Sequence, residues 1–468
     1  MSTLAERLAA AAVGTRWADI PAEVVAKAKL CTLDQLGVVL AAWPEASTQA
    51  LWAHVQEMGV GEPQATVIGS GRRASVAHAT LLNAAMGHSL ELEDHHSHSR
   101  SLNHPGVCSI PPALAMGEWR RAAGRDVLRA IVLGYEVGSR LSRAIPYPGF
   151  FNFERGFHET SVLGPFSAAT VTAALDGLDA GRLAHAFGLA GSLAAGSTEF
   201  KANGAFSKRL QVGAAAERGV LAARLAARGF TGPLTVFEGK HGFFNAYALE
   251  GNYDLGPVLA RWGIDWELPH IQFKPFGCAG VLHSAVTAAS LAYERCRPAP
   301  EAIAGVTVHT SRKLIEEYAE PLAARRRPRH SVEAQFSLPY SVAVMLVTGR
   351  ALVEEFTPRW FEDPAVLGVA AKVDVAVDPE IDRDWPKKDP TRLTLRLVDG
   401  RVVEVRTEQA KGEAAMPVTE AEVLEKFRRL VEPALGREAA QRAVDLVLRL
   451  ETLADLSDLM ALFRGAAR

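Results

Sequence analysis

The sequence predicts a mainly α protein. A large all-α helical domain takes residues 1–267 and 410–468, and a smaller α+β domain takes 268–409. Three observations carry this expectation. Small-residue segments with helical spacing fill the first half of the chain. Alternation of period two appears only in the second half. Helical periodicity then resumes from Pro417, and these last helices are expected to return to the first domain.

The elements follow in order. The segment PAEVVAKAKLCTLDQLGVVLAAW, residues 21–43, opens with Pro21 and carries apolar residues at helical spacing. Three further segments, 74–90, 164–178 and 181–196, are dense in Ala, Gly and Ser. Small side chains let helix backbones approach closely, so these segments are read as mutually buried helices. Strands are expected at 305–310, 371–377 and 391–407. The last is a hairpin candidate in which Asp399-Gly400 supplies a two-residue turn. Thr419 and Glu422 have capping-box spacing at the start of the next helix.

The bulk composition narrows the function. With 468 residues the chain is long enough for two domains. Its 51 basic and 53 acidic residues leave no net field to hold nucleic acid or an anionic membrane. Cys31, Cys108, Cys278 and Cys296 are widely spaced, which argues against a disulfide scaffold or zinc finger and suits a reducing compartment. Glu6 and Arg7 interrupt the N-terminal Ala run, so a signal peptide is not expected and the cytoplasm is the expected location. No dinucleotide fingerprint, P-loop or nucleophile elbow is found.

Four stretches carry candidate chemistry. GHSLELEDHHSHSRSLNHPG, residues 87–106, holds five of the 14 histidines. His95, His96, His98 and His104, with Glu91, Glu93 and Asp94, could ligate a metal. The helical spacings H-E-x-x-H and H-x-x-x-H are absent, however, and no metal ligand is assigned. In EFKANGAFSKRL, residues 199–210, Lys208 and Arg209 fall at a helix start, where the dipole disfavours cations. Such placement suggests an anion site; two solvated cations are the other reading. In IQFKPFGCAGVLHSAV, Lys274 precedes another helix that contains His283. His158 lies in a loop ahead of the segment 164–178. Read singly, His283 is also a packed core histidine and His158 a loop histidine.

Together these stretches resemble, in order, blocks of the MmgE/PrpD family. The blocks are LNAAMGHSLELED…HPG, GFHETSVLGPFSAA, EFKANGAFSKRL, FKPFGCAGVLHSAV and AQFSLPYSVA. The family includes 2-methylcitrate dehydratase, cis-aconitate decarboxylase and iminodisuccinate epimerase. The resemblance implies a large all-α domain with a smaller α+β lid, a homodimer, no required cofactor, and an active site between the domains. It places the catalytic positions on His104, His158, Lys208, Lys274 and Tyr340. Substrate binding is expected from Glu91, Asp94, His95, Arg209, Gln211, Cys278 and His283. The chain also departs from the pattern. His95 stands where the decarboxylase branch has Thr, Gln211-Val212 replace a common His-Pro, and ELED replaces a more Asp-rich run. The pocket is therefore expected to differ from that of a standard decarboxylase or methylcitrate dehydratase.

The expected function is a cofactor-independent lyase, of dehydratase or decarboxylase type, acting on a small di- or tricarboxylate. Charge developing next to a carboxylate needs preorganised cations, here Lys208, Lys274 and Arg209. His104 and His158 are the expected proton-transfer groups, Tyr340 a donor, and either lysine a base if its pKa is lowered. The alternatives are an epimerase or isomerase of an amino- or imino-dicarboxylate, a metal-dependent hydrolase centred on the histidine loop, and a non-catalytic carboxylate-binding protein.

Overall fold

The computed structural model describes residues 2–96, 103–145, 150–385 and 388–465. His98 lies outside the described residues. Helices dominate, and among the described residues none is long and apolar enough to cross a membrane.

Each helical segment forms with its ends set by local chemistry. The first spans Ala22–Ala41, with Pro21 as the preceding cap. The second spans Val76–Gly87, where the Ser75 hydroxyl accepts from the His78 N–H and so satisfies an end group. The third starts earlier than the sequence pattern suggested, at Glu159, because His158 is its N-cap, and it ends at Gly177 in the left-handed conformation. The fourth spans Ala180–Leu193 behind an Asp179 cap. Small residues do let these helices close in. A Cβ added at Gly219, on the helix Ser207–Ala226, would stand 2.5 Å from the Pro165 carbonyl oxygen.

The α+β part is built on a four-stranded sheet ordered Val373–Val377, Ile303–Thr310, Thr391–Leu397, Val402–Thr407. The first pair is parallel and the other two are antiparallel. The helix His283–Cys296 covers the hairpin strands, and Leu338–Thr348 packs on that helix. The hairpin differs from the sequence expectation in its turn. Its loop is three residues, Val398 to Gly400, because the Leu397 N–H donates to the Arg401 carbonyl and only Gly400 takes a positive φ, 89°.

After the sheet, the helix Glu420–Leu435 packs on Ala22–Ala41, and Phe427 fills the space left by Gly37. The Thr419–Glu422 capping box forms, and Glu422 also pairs with Lys411. Thr419→Ala removes one cap bond and is expected to cost about 1 kcal/mol of stability. A urea midpoint unchanged from the parent chain would show that this cap contributes nothing. The same helix carries Lys426, whose ammonium reaches the Leu92 and Lys274 carbonyls and lies 2.7 Å from Asp34. Through this one side chain the helix Glu420–Leu435 holds the segments that carry Leu92 and Lys274.

Candidate active site

A cavity of about 1040 Å³ opens between the helical core and the α+β core. The volume is at the upper end of small-molecule pockets, which run to ~1,000 Å³. Its polar wall is assembled from helix N-termini. His104 caps the helix Pro105–Arg120, and His158 caps Glu159–Asp176. Lys208 is the second residue of Ser207–Ala226, and His283 is the first of His283–Cys296. All four side chains line the cavity, so four helices present their positive ends to it. The His104 N–H donates to the Thr160 hydroxyl, which ties two of these ends together.

The acidic run ELED enters from the other side with strand-like alternation. Glu91 and Glu93 turn toward the lysines, whereas Leu92 enters the hydrophobic core and Asp94 points to Tyr135. Glu91 holds a φ of 54°, left-handed for a side chain with a Cβ, which costs about 1–2 kcal/mol. The ion pairs it forms keep it there. Its carboxylate pairs with Lys208 and lies 3.3 Å from Lys274, and Glu93 lies 2.8 Å from Lys274. Burial alone would raise the Glu91 pKa, but the two ammonium groups hold it at about 2. Burial lowers the Lys208 pKa. Burial also opposes the charge on Lys274, yet Glu93 and Glu91 outweigh it and raise its pKa. Lys274 is therefore favoured in its charged form, between two carboxylates.

The imidazoles divide by their partners. His104 Nδ1 lies 2.7 Å from the Asp94 carbonyl, which fixes its proton on Nδ1 and leaves Nε2 as the acceptor. Burial, reinforced by Lys274, keeps the His104 pKa well below its usual value. The ring is therefore neutral near pH 7. His158 Nδ1 lies 3.1 Å from the Gln211 amide oxygen and its Nε2 3.3 Å from His88 Nε2. His88 Nδ1 in turn lies 3.1 Å from Glu93. His283 is held by the Cys278 carbonyl, and burial takes its pKa down to about 3.

Several residues singled out from the sequence stand behind the lining. Tyr340 donates its hydroxyl to the Glu355 carbonyl at 2.5 Å and packs edge-on against Phe356. As the third residue of the helix capped by Ser337, it faces the core of the α+β part. Among the described residues, the tyrosine that lines the cavity is Tyr318, stacked on Phe336. Cys278 is fully buried, and burial pushes its thiol up to about 12. Arg209 donates to the Ser89 carbonyl and the Gln335 amide oxygen, so it braces the turn before Glu91. Asp94 accepts from the Tyr135 hydroxyl and the Gly106 N–H, and burial raises its pKa to about 7. Gln211 orients His158 and is not among the residues lining the cavity.

His95 and His96 both line the cavity, His95 3.0 Å from Glu413 and His96 2.9 Å from Glu267. Both sit on a short strand paired with Ile271–Gln272. Among the described residues, no three His, Cys, Asp or Glu side chains gather into a metal-holding group.

The sequence reading gave no role to His88, Lys201 or Tyr318. His88 had a visible signal as the first histidine of the opening stretch. Lys201 sits inside one of the motif blocks and lines the cavity, tied to Glu317 and Asn152. Tyr318 ends the short helix Arg312–Tyr318 and has no local signature.

The chain is similar to known proteins over most of its length. The MmgE/PrpD N-terminal domain model matches residues 6–255, and the MmgE/PrpD C-terminal domain model matches 276–452. A cis-aconitate decarboxylase-like protein, oryM, of Aspergillus oryzae is 30% identical, over 96% of this chain and 94% of the relative. A cis-aconitate decarboxylase of Aspergillus terreus is 29% identical, over 95% and 92%. That of Homo sapiens is 25% identical, over 99% and 95%.

Proposed function

The chain belongs to the MmgE/PrpD family, and we propose that it is a lyase of decarboxylase or dehydratase type. Its substrate is a small tricarboxylate, and it needs no metal or other cofactor. One observation carries this reading: four helix N-termini, two ammonium groups and the three imidazoles of His104, His158 and His283 converge on the cavity. That wall suits a polyanion whose charge shifts during reaction. The relatives named as cis-aconitate decarboxylases support the choice of substrate class.

The chemistry follows from the substrate class. When an unsaturated polycarboxylate loses carbon dioxide, the C–C bond breaks and its electron pair moves into the adjacent double bond. The far carbon becomes electron-rich next to a remaining carboxylate and must gain one proton. In a dehydration a carbon loses a proton and a hydroxide leaves with one. In both cases negative charge collects on a carboxylate, where Lys208, Lys274 and the helix ends lower its cost. In both cases an imidazole must reach the reacting carbon. In a dehydration His104 serves there as the base, taking the proton on its acceptor Nε2 at the cavity; in a decarboxylation that nitrogen first takes a proton from solvent and then gives it to the carbon. His158 supplies the opposite partner.

The test is incubation with cis-aconitate, citrate and 2-methylcitrate in D₂O, followed by NMR. The expected result is carbon dioxide release with one deuterium placed on the product carbon, or loss of water. Both are expected to survive dialysis against EDTA, because His95, His96 and His104 are each committed to a separate protein oxygen. Deuterium exchange without loss of either small molecule would identify an isomerase and overturn the lyase reading. Activity lost to EDTA and restored by zinc would overturn metal independence.

A further inference from the structure

Lys208 and Lys274 account for the cations at the reacting end of the cavity, yet Lys201 also lines it. Lys201 belongs to the short 3-10 helix Glu199–Ala202, and its side chain is only 14% exposed. It donates to the Asn152 amide oxygen and, at 2.8 Å, to Glu317. Asn152 comes from the helical part, and Glu317 from the helix Arg312–Tyr318 of the α+β part. An ammonium group has three N–H donors. Among the described residues no third acceptor meets Lys201, so one donor is left for the cavity.

The charges around Lys201 do not balance. Glu317 is shared, because its other oxygen lies 3.2 Å from Lys313. Two ammonium groups thus meet one carboxylate, which leaves a surplus of one positive charge beside the cavity. Burial lowers the Lys201 pKa and Lys313 adds to that, while Glu317 opposes both. A carboxylate arriving from the cavity meets the open donor and offsets the surplus charge.

The same backbone places Lys201 and His158. The His158 N–H donates to the Gly196 carbonyl at 3.0 Å, and the Thr198 N–H to the Gly156 carbonyl at 2.9 Å. The Lys201 N–H then donates to the Thr198 carbonyl at 3.1 Å. Ring faces hold the ammonium group, whose nitrogen is 5.0 Å from the centre of Phe153 and 5.7 Å from that of Tyr318. Tyr318 stacks on Phe336, and the Lys208 nitrogen is 5.2 Å from the centre of Phe336. The two lysines therefore stand over different rings of one stacked pair, and all four side chains line the cavity.

We propose that Lys201 is a specificity-determining residue that binds a terminal carboxylate of the substrate, one that takes no part in the reaction. Lys208 and Lys274 face the carboxylate beside the reacting carbon, and Lys201 holds the far one, with the carbon chain against Phe336 and Tyr318. This assignment rests on the lyase reading above and narrows its substrates to acids with a third carboxylate beyond the reacting pair. An acid that lacks this carboxylate leaves the open donor of Lys201 unmet, and so it binds more weakly.

The test is calorimetric binding of two saturated, unreactive acids, propane-1,2,3-tricarboxylate and propane-1,2-dicarboxylate, to the full chain. They differ by one terminal carboxylate. The unmodified protein is expected to bind the tricarboxylate roughly 10-fold more tightly or better, the scale of one charge-assisted hydrogen bond. Equal affinities would overturn the proposal. Lys201→Met keeps a side chain of similar length without the charge, and it leaves Glu317 paired with Lys313, so the fold is expected to hold. In this variant the tricarboxylate is expected to lose its advantage while the dicarboxylate keeps its affinity. An equal loss for both acids, or a preference that survives the substitution, would overturn the assignment. Neither acid reacts, so the outcome is separate from the lyase reading. A chain with this preference that released neither carbon dioxide nor water from any polycarboxylate would retain the Lys201 site and lose the lyase.

Discussion

A Lys208→Ala variant is expected to turn over the tricarboxylate roughly 10²-fold more slowly or worse, the scale set by losing one preorganised charge-stabilising group. The side chain sits at a helix N-terminus, lines the cavity and is only 6% exposed. A cation there is unfavourable for the helix itself, so its position serves the cavity. The structure adds a cost that helix position alone does not suggest. Lys208 pairs with Glu91, and breaking a buried pair costs about 3–5 kcal/mol when the remaining charge is left alone. Lys274 still faces Glu91, which places the loss at the lower end of that range. Melting temperature should therefore be measured beside turnover. Lys208→Arg keeps the charge and the pairing, and is expected to recover stability more fully than turnover, because a planar guanidinium does not reproduce a point charge. Near-normal kcat/KM in Lys208→Ala would sink the anion-site assignment.

His104→Asn is expected to lower kcat by about 10²–10⁴-fold, the usual scale for a positioned acid–base group. Asparagine can still donate to the Asp94 carbonyl as Nδ1 does, but it lacks the Nε2 that faces the cavity. The pH profile gives a second reading. Burial, then Lys274, hold the His104 pKa well below the usual histidine value, so the ring is neutral at pH 7. The acid limb of kcat/KM is therefore expected below pH 6.5 in the parent enzyme. The same shift acts on stability. The unfolded chain takes up a proton near its unperturbed pKa, ~6.5, while the folded ring resists it. Stability is thus lost as pH falls below about 6.5 and continues to fall toward the folded pKa. His104→Asn should flatten that slope. A variant that keeps its kcat within tenfold of the parent, with the acid limb in place, would remove His104 from the proton-transfer step.

His96 shows why a histidine-rich loop could not be sorted by reading it. Five histidines of one chemical type lie within twenty residues, and the partners of His95 and His96 come from elsewhere in the chain. His96 meets Glu267, 171 residues away, and His95 meets Glu413, 318 residues away. Their roles diverge on those contacts alone. His96 joins a buried cluster with Glu267 and Arg143, so replacing it is a matter of stability more than of chemistry.

The sequence by itself determined where helices and strands form, because spacing, caps and turn residues act over a few positions. Pro21, Ser75, Asp179 and the Thr419–Glu422 box mark helix starts that the structure contains. It also determined the chemical types at the site, since Lys208, His104 and His158 sit in motifs at helix starts and Lys274 in a motif just after the strand Ile271–Gln272. Only the tertiary structure decided what those groups face. Glu91 and Lys208 meet across 117 residues, and His88 and His158 across 70. Tyr318 lines the cavity while Tyr340 is turned into the core, although both lie on helices of the same part of the chain. The physical reason is range. Backbone conformation is chosen by neighbours along the chain, whereas burial, ion pairing and proton position are set by groups that become neighbours only when the two cores close on the cavity.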